Sequence, residues 1–160
     1  MMRASHKAQS PTEVELKPAG WRDVFAIHGL GRRSFGNDSW PWLDFLAALT
    51  APGAVRWKAV GGGEVVGYVI GDRRGKGIGW IASIAVDPAW RRKGLAARLM
   101  QAAEEELATS VFRLTLRRSN RPALHLYRQL GYREADAWPA YYYDGEDGLV
   151  MEKVAGGNGD

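Results

Sequence analysis

Residues 81–97 read Ile81-Ala82-Ser83-Ile84-Ala85-Val86-Asp87-Pro88-Ala89-Trp90-Arg91-Arg92-Lys93-Gly94-Leu95-Ala96-Ala97. This stretch decides the fold. An apolar run ends at Val86, and Asp87-Pro88 marks a tight turn. Three cations follow, Arg91, Arg92 and Lys93. Then Leu95, Ala96, Leu99, Met100, Ala103 and Leu107 recur at i, i+3, i+4 spacing, which predicts a helix over residues 93–108. Residues 111–116 alternate apolar and polar and predict a strand. A strand–helix–strand passage of this length requires a parallel pair with a right-handed crossover.

Working outward, residues 55–60, 64–71 and 78–86 read as three strands. Gly61-Gly62-Gly63 and Arg73-Arg74-Gly75-Lys76-Gly77 supply turn chemistry between them, so the pairing should be antiparallel. Residues 12–17 predict a short strand. Trp21, Val24, Phe25, Ile27 and Leu30 predict a helix over 21–30, weakened at its end by Gly29 and Gly31. Ser39 is the expected N-cap of a second helix carrying Trp42, Leu43, Phe45, Leu46 and Leu49, closed by Pro52-Gly53. Further along, a helix over 122–130 should be capped by Asn120 and stopped by Gly131. Strands over 132–138 and 148–154 should flank Asp144-Gly145-Glu146-Asp147.

The order is β-α-α-β-β-β-α-β-α-β-β. That is an α/β domain with a mixed, mostly antiparallel sheet of about seven strands and flanking helices. The domain should span residues 12–154, leaving 1–11 and 155–160 as polar tails too poor in apolar residues to offset their ordering entropy.

At 160 residues, 46% apolar and 25% charged, the chain has the composition of one globular domain. No apolar run approaches the roughly 18 residues that span a bilayer, and residues 1–12 lack the apolar core of a secretory signal. The absence of cysteine excludes a disulfide scaffold, a thiolate zinc site and a cysteine nucleophile. His6, His28 and His125 form no pair at metal spacing. These features lead to the expectation of a cytoplasmic protein without metal or membrane, a monomer or homodimer. The net charge of +4 points to an anionic ligand. Nucleic-acid binders usually interleave aromatics with a basic face. Here the cations gather in the turn after Val86, so nucleic acid is disfavoured.

That turn has the physics of a phosphate cradle. The first N–H groups of a helix lack internal partners and carry about half a positive charge. Gly94 lets a ligand approach the backbone, and the cations add attraction. The spacing matches neither an NTPase phosphate loop nor a dinucleotide fingerprint.

Arg91-x-x-Gly94-x-Ala96 resembles the pyrophosphate-binding motif, Gln/Arg-x-x-Gly-x-Gly/Ala, of the GNAT family of N-acetyltransferases. A second block, Asn120-Arg121-Pro122-Ala123-Leu124-His125-Leu126-Tyr127-Arg128-Gln129-Leu130-Gly131-Tyr132, is similar to that family's Asn-x-x-Ala-x-x-Leu-Tyr-x-x-x-Gly-Phe/Tyr. The likeness covers residues 55–153. It implies a GNAT fold and acetyl-CoA as co-substrate. By the same resemblance, backbone groups of Ile84, Ala85 and Val86 would pair with the pantetheine arm. Arg91, Arg92, Lys93, Gly94, Leu95 and Ala96 would hold the phosphates, and Asn120 would bond the arm. Tyr127 would be the acid that protonates the leaving thiolate. Arg117, Arg118 and Arg121 lie near the same end, and at least two of them read as a solvated face.

Family members that act on protein N-termini often carry a glutamate base five residues before the asparagine; Thr115 stands there. Glu134 and Glu152 are candidates by strand position alone. Tyr141-Tyr142-Tyr143-Asp144-Gly145-Glu146-Asp147-Gly148-Leu149-Val150-Met151 looks like the corresponding segment of protein N-terminal acetyltransferases, the ribosomal-protein alanine acetyltransferases among them. That likeness implies that Tyr141 and Tyr142 contact an acceptor peptide. The reading is therefore an acetyltransferase of protein amino groups, with an N-terminal α-amine favoured over lysine. A small-molecule amine is the alternative acceptor, and a non-catalytic acyl-CoA-binding or nucleic-acid-binding module is the third reading.

Overall fold

The computed structural model describes residues 13–156. Seven strands form it: β1 (Glu15–Pro18), β2 (Val55–Gly61), β3 (Glu64–Arg74), β4 (Ile78–Val86), β5 (Val111–Arg117), β6 (Arg133–Trp138) and β7 (Gly148–Val154). They make one sheet in the order β1-β2-β3-β4-β5-β7-β6. Every pair is antiparallel except β4 with β5. The helices are α1 (Val24–Phe35), α2 (Trp42–Thr50), α3 (Leu95–Leu107) and α4 (Arg121–Gln129). None of these is long and apolar enough to cross a membrane.

Both faces of the sheet are covered. Leu95, Leu99, Met100, Ala103 and Leu107 of α3 pack on Val69, Ile81, Phe112, Leu114 and Met151. Ile27, Leu30, Phe45 and Leu49 of α1 and α2 pack on Tyr68, Ile70 and Ala85. Tyr68 and Val69 are consecutive on β3 and so point to opposite faces, each into its own core.

The structure departs from the sequence reading where packing outweighs local propensity. Helix α1 runs through Gly29 and Gly31 to Phe35. A Cβ at Gly31 would sit 2.9 Å from Phe45 Cζ, so the glycine is the residue that lets α1 approach α2. Ser39 is not an N-cap: α2 starts at Trp42 with Pro41 at the cap position. Ser39 lies too far upstream, and its Oγ donates to the Trp40 carbonyl at 3.4 Å. Arg73 and Arg74 belong to β3 rather than to the turn. Arg73 donates to the carbonyls of Leu107 (2.7 Å) and Glu106 (3.0 Å), closing the C-terminus of α3. The strand expected over residues 12–17 is β1, beginning at Glu15. Thr12, residues 1–11 and residues 157–160 lie outside the described residues.

Candidate active site

The parallel pairing of β4 and β5 is brief: Ile78 to Ile81 pair with Val111 to Leu114 and nothing follows. Beyond that point β4 continues to Val86 on β3, with Val69, Tyr68 and Gly67 opposite Ile84, Ala85 and Val86. β5 continues to Arg117 on β7. The two strands therefore diverge, and residues 82–86 keep one backbone edge that no strand takes. An extended ligand can add to such an edge like a further strand.

The edge leads into the basic turn. Asp87 Oδ1 accepts from the Ala89 amide at 3.0 Å and opens a single 3-10 turn, Pro88–Trp90. Arg92 (φ 61°) and Gly94 (φ 74°) are both left-handed, which turns successive amides to one side as an anion nest. The first bond of α3 runs from the Arg98 amide to the Gly94 carbonyl at 3.1 Å. The amides of Leu95, Ala96 and Ala97 have no intrahelical acceptor. A Cβ at Gly94 would meet nothing within 4 Å, so glycine serves the backbone angle and the space above it is open. The three cations are not equivalent. Arg91 Nε donates to the Val86 carbonyl at 3.0 Å, fixing the end of β4. Lys93 Nζ lies over the Trp90 ring at 4.9 Å, and Arg92 is exposed.

Asn120 caps α4: its Oδ1 accepts from the Ala123 amide at 3.3 Å. Two turns on from Asn120, Tyr127 is 8% exposed and its ring meets Tyr132 edge to face at 6.0 Å. Burial alone pushes its hydroxyl up to about 12. Tyr132 is pinned behind it, its hydroxyl donating to Glu104 at 2.7 Å, and Lys153 donates to the other oxygen of that carboxylate at 2.7 Å.

The groups weighed as a base are accounted for. Thr115 Oγ1 is buried without a partner and opposite Val150; a threonine hydroxyl has no basicity to offer near neutral pH. Glu152 binds Arg113 at 2.7 Å, and Glu134 is paired with Arg128. His28 lies edge-on to Phe45 at 5.9 Å, and His125 is on the exposed side of α4.

The side that should receive an acceptor is aromatic. Trp80 of β4 and Trp138 of β6 stack at 5.7 Å, and Trp138, Tyr141 and Tyr142 continue the row at 5.3 and 5.1 Å. Gly148 makes this possible, since a Cβ there would lie 2.9 Å from the Tyr141 ring. Tyr142 faces Arg117. Arg118 and Arg121 are exposed, the two arginines of a solvated face, while Arg117 binds Asp38 and Asp144. No local pattern signals the Arg117 pairing, because Asp38 is 79 residues away in the chain. The Trp80–Trp138 stack is equally invisible, its partners coming from distant strands.

A family model described as Acetyltransferase (GNAT) family matches residues 21–132. An N-alpha-acetyltransferase of Sulfurisphaera tokodaii is 32% identical over 161 residues, covering 91% of this chain and 95% of that protein. The N-alpha-acetyltransferase RimI of Mycobacterium tuberculosis is 31% identical, covering 76% and 79%. The structure of the ribosomal-protein-S18-alanine N-acetyltransferase of Escherichia coli superposes with a TM-score of 0.81 at 24% identity, covering 92% of this chain and 97% of that one. The chain belongs to the GNAT acetyltransferase family.

Proposed function

We propose that this protein transfers the acetyl group of acetyl-CoA to the α-amino group of a protein N-terminus, by direct attack in a ternary complex. The observation that carries the reading is the open edge of β4, which ends at Val86 and is followed, after one 3-10 turn, by the amides of Gly94, Leu95 and Ala96. A pantetheine arm along residues 84–86 and a pyrophosphate at the nest would use both. The thioester carbonyl would then lie beside a β4 amide. Donors aimed at a developing oxyanion typically contribute about 3 kcal/mol each.

Tyr127 serves the leaving group. A thiol of pKa near 8.5, by analogy with cysteine, sits well below a hydroxyl at about 12. Full proton transfer between them would be uphill by about 5 kcal/mol. In this reading Tyr127 therefore stays neutral and donates a hydrogen bond to sulfur as the C–S bond breaks, while solvent completes protonation. The C–N bond forms from the neutral amine, and the ammonium proton passes to water.

The acceptor follows from what surrounds the site. An α-amine of pKa near 8 is neutral at pH 7 at a cost of about 1.4 kcal/mol, against about 4.6 for lysine. With Glu134 and Glu152 held in ion pairs and Thr115 unable to act as a base, the α-amine is the acceptor that needs the least help. Relatives named N-alpha-acetyltransferase support the same choice. The test is a panel of peptides with free or blocked N-termini, incubated with acetyl-CoA and mapped by mass spectrometry. Acetyl on the α-amine is the expected result. Faster modification of lysine in a blocked peptide would overturn it.

A further inference from the structure

Arg117 closes β5, and all three nitrogens of its guanidinium are hydrogen-bonded within the protein. Nε and Nη2 donate to the two oxygens of Asp38 at 2.5 and 2.8 Å, a bidentate fork. Nη1 donates to Asp144 Oδ1 and Oδ2 at 2.9 and 2.8 Å, and Glu146 lies 3.6 Å away. The guanidinium carbon stands 4.4 Å from the centroid of the Tyr142 ring and 5.6 Å from that of Tyr143. Asn37 Nδ2 donates to the Tyr143 hydroxyl at 3.2 Å, a second tie between the same segments.

The consequence is topological. Asp38 lies in the short turn Gly36–Asp38 that joins α1 to α2, and Asp144 lies in the connection between β6 and β7. Neither turn is hydrogen-bonded into the sheet at these residues. One side chain from the end of β5 fastens both. Exposed ion pairs usually contribute little, but Arg117 and Asp38 are only 20% and 21% exposed and the fork is complete. Three carboxylates converge on this one cation, so its charge is already compensated within the protein and is not held ready for a phosphate of the co-substrate.

We infer that Arg117 is a positioning residue for acceptor binding: it latches the 36–38 turn to the 142–146 turn and holds the Tyr142 ring in place between them. The inference rests on the proposed role of Tyr141 and Tyr142 as acceptor contacts. It assigns Arg117 to the acceptor side alone. Lysine in its place would keep the charge but could not fork Asp38 while reaching Asp144.

The experiment compares wild type with Arg117→Lys and Asp38→Asn by steady-state kinetics and by hydrogen exchange. The acceptor-peptide KM should rise about tenfold or more in each variant, with kcat and the acetyl-CoA KM within about twofold. The double variant should be no worse than Arg117→Lys, because both changes open the same latch. Exchange should quicken together in residues 36–38 and 142–146 and stay unchanged over 84–97. An unchanged acceptor KM, or an acetyl-CoA KM that rises equally, overturns the assignment. Exchange needs no acceptor. If no peptide is acetylated, the acceptor reading fails by itself, and exchange that quickens in one turn or neither still overturns the latch.

Discussion

Ile81 and Leu114 are the last residues at which β4 and β5 pair. From that point each strand is held only by its outer neighbour, so a parallel sheet becomes an opening without breaking either strand. One irregularity of register in the β3–β4 ladder, between Ile70 and Gly71 opposite Ser83 and Ile81, falls at the same level. A bulge bends its strand and increases local twist, which is the physical means by which β4 leaves β5. The opening ends at the nest before α3, and the first prediction concerns that nest.

Gly94 holds φ 74° with open space above it. A β-branched residue in this region costs about 1–2 kcal/mol and pulls the amides out of line. Gly94→Val should weaken acetyl-CoA binding at least about tenfold by titration calorimetry, an effect of at least ~1.4 kcal/mol. Undiminished affinity would remove the nest from the binding site.

Tyr127→Phe deletes one hydroxyl from a ring that stays packed on Tyr132. The expected result is a fall in kcat of about 10²–10³, the usual size for losing a donor to developing charge, with acetyl-CoA affinity and folding stability nearly unchanged. Since burial pushes the hydroxyl up to about 12, kcat/KM of the wild type should rise with the acceptor's deprotonation and show no descending limb up to about pH 10. A limb falling near pH 9 would contradict this.

Alkaline pH should unfold the protein through its buried tyrosines. Burial raises Tyr68, Tyr127 and Tyr132. A raised folded-state value means the native state holds the proton more tightly. That stability is complete below the unfolded value near 10 and is lost as pH climbs through the folded one. Tyr127 alone, at about 12, contributes about 2.7 kcal/mol over that window. Urea unfolding at pH 8 to 12 should show the decline beginning near pH 10, shallower in Tyr127→Phe. A stability flat to pH 12 would refute the burial.

Gly148→Ala places a Cβ 2.9 Å from the Tyr141 ring. The ring must swing off β7, because the backbone beneath it is locked in the β5–β7 ladder. Overpacking of this kind typically costs about 1–3 kcal/mol. A lower melting temperature and a higher acceptor KM should appear together, with acetyl-CoA affinity preserved. A rise in KM for acetyl-CoA instead would place Tyr141 on the other side of the site.

The amino-acid order by itself determined the elements and the anion nest, because both depend on neighbours within a few residues. Apolar runs bounded by turn residues make β2 to β4, an alternating run makes β5, the i, i+3, i+4 stripe makes α3, and Arg91-x-x-Gly94-x-Ala96 sets the turn before it. Asn120 and Tyr127 share one short helix, so their relation was also local. Tertiary structure decided the rest. It carried α1 past two glycines because Gly31 lies against Phe45, and it ended the β4–β5 pairing at Ile81, which no property of Ile81 announces. It gave Arg117 its partners by bringing residues 38 and 144 to the end of one strand. Local sequence can encode a dihedral or a hydrophobic period, but a salt bridge across 79 residues exists only once the sheet order has placed its ends side by side.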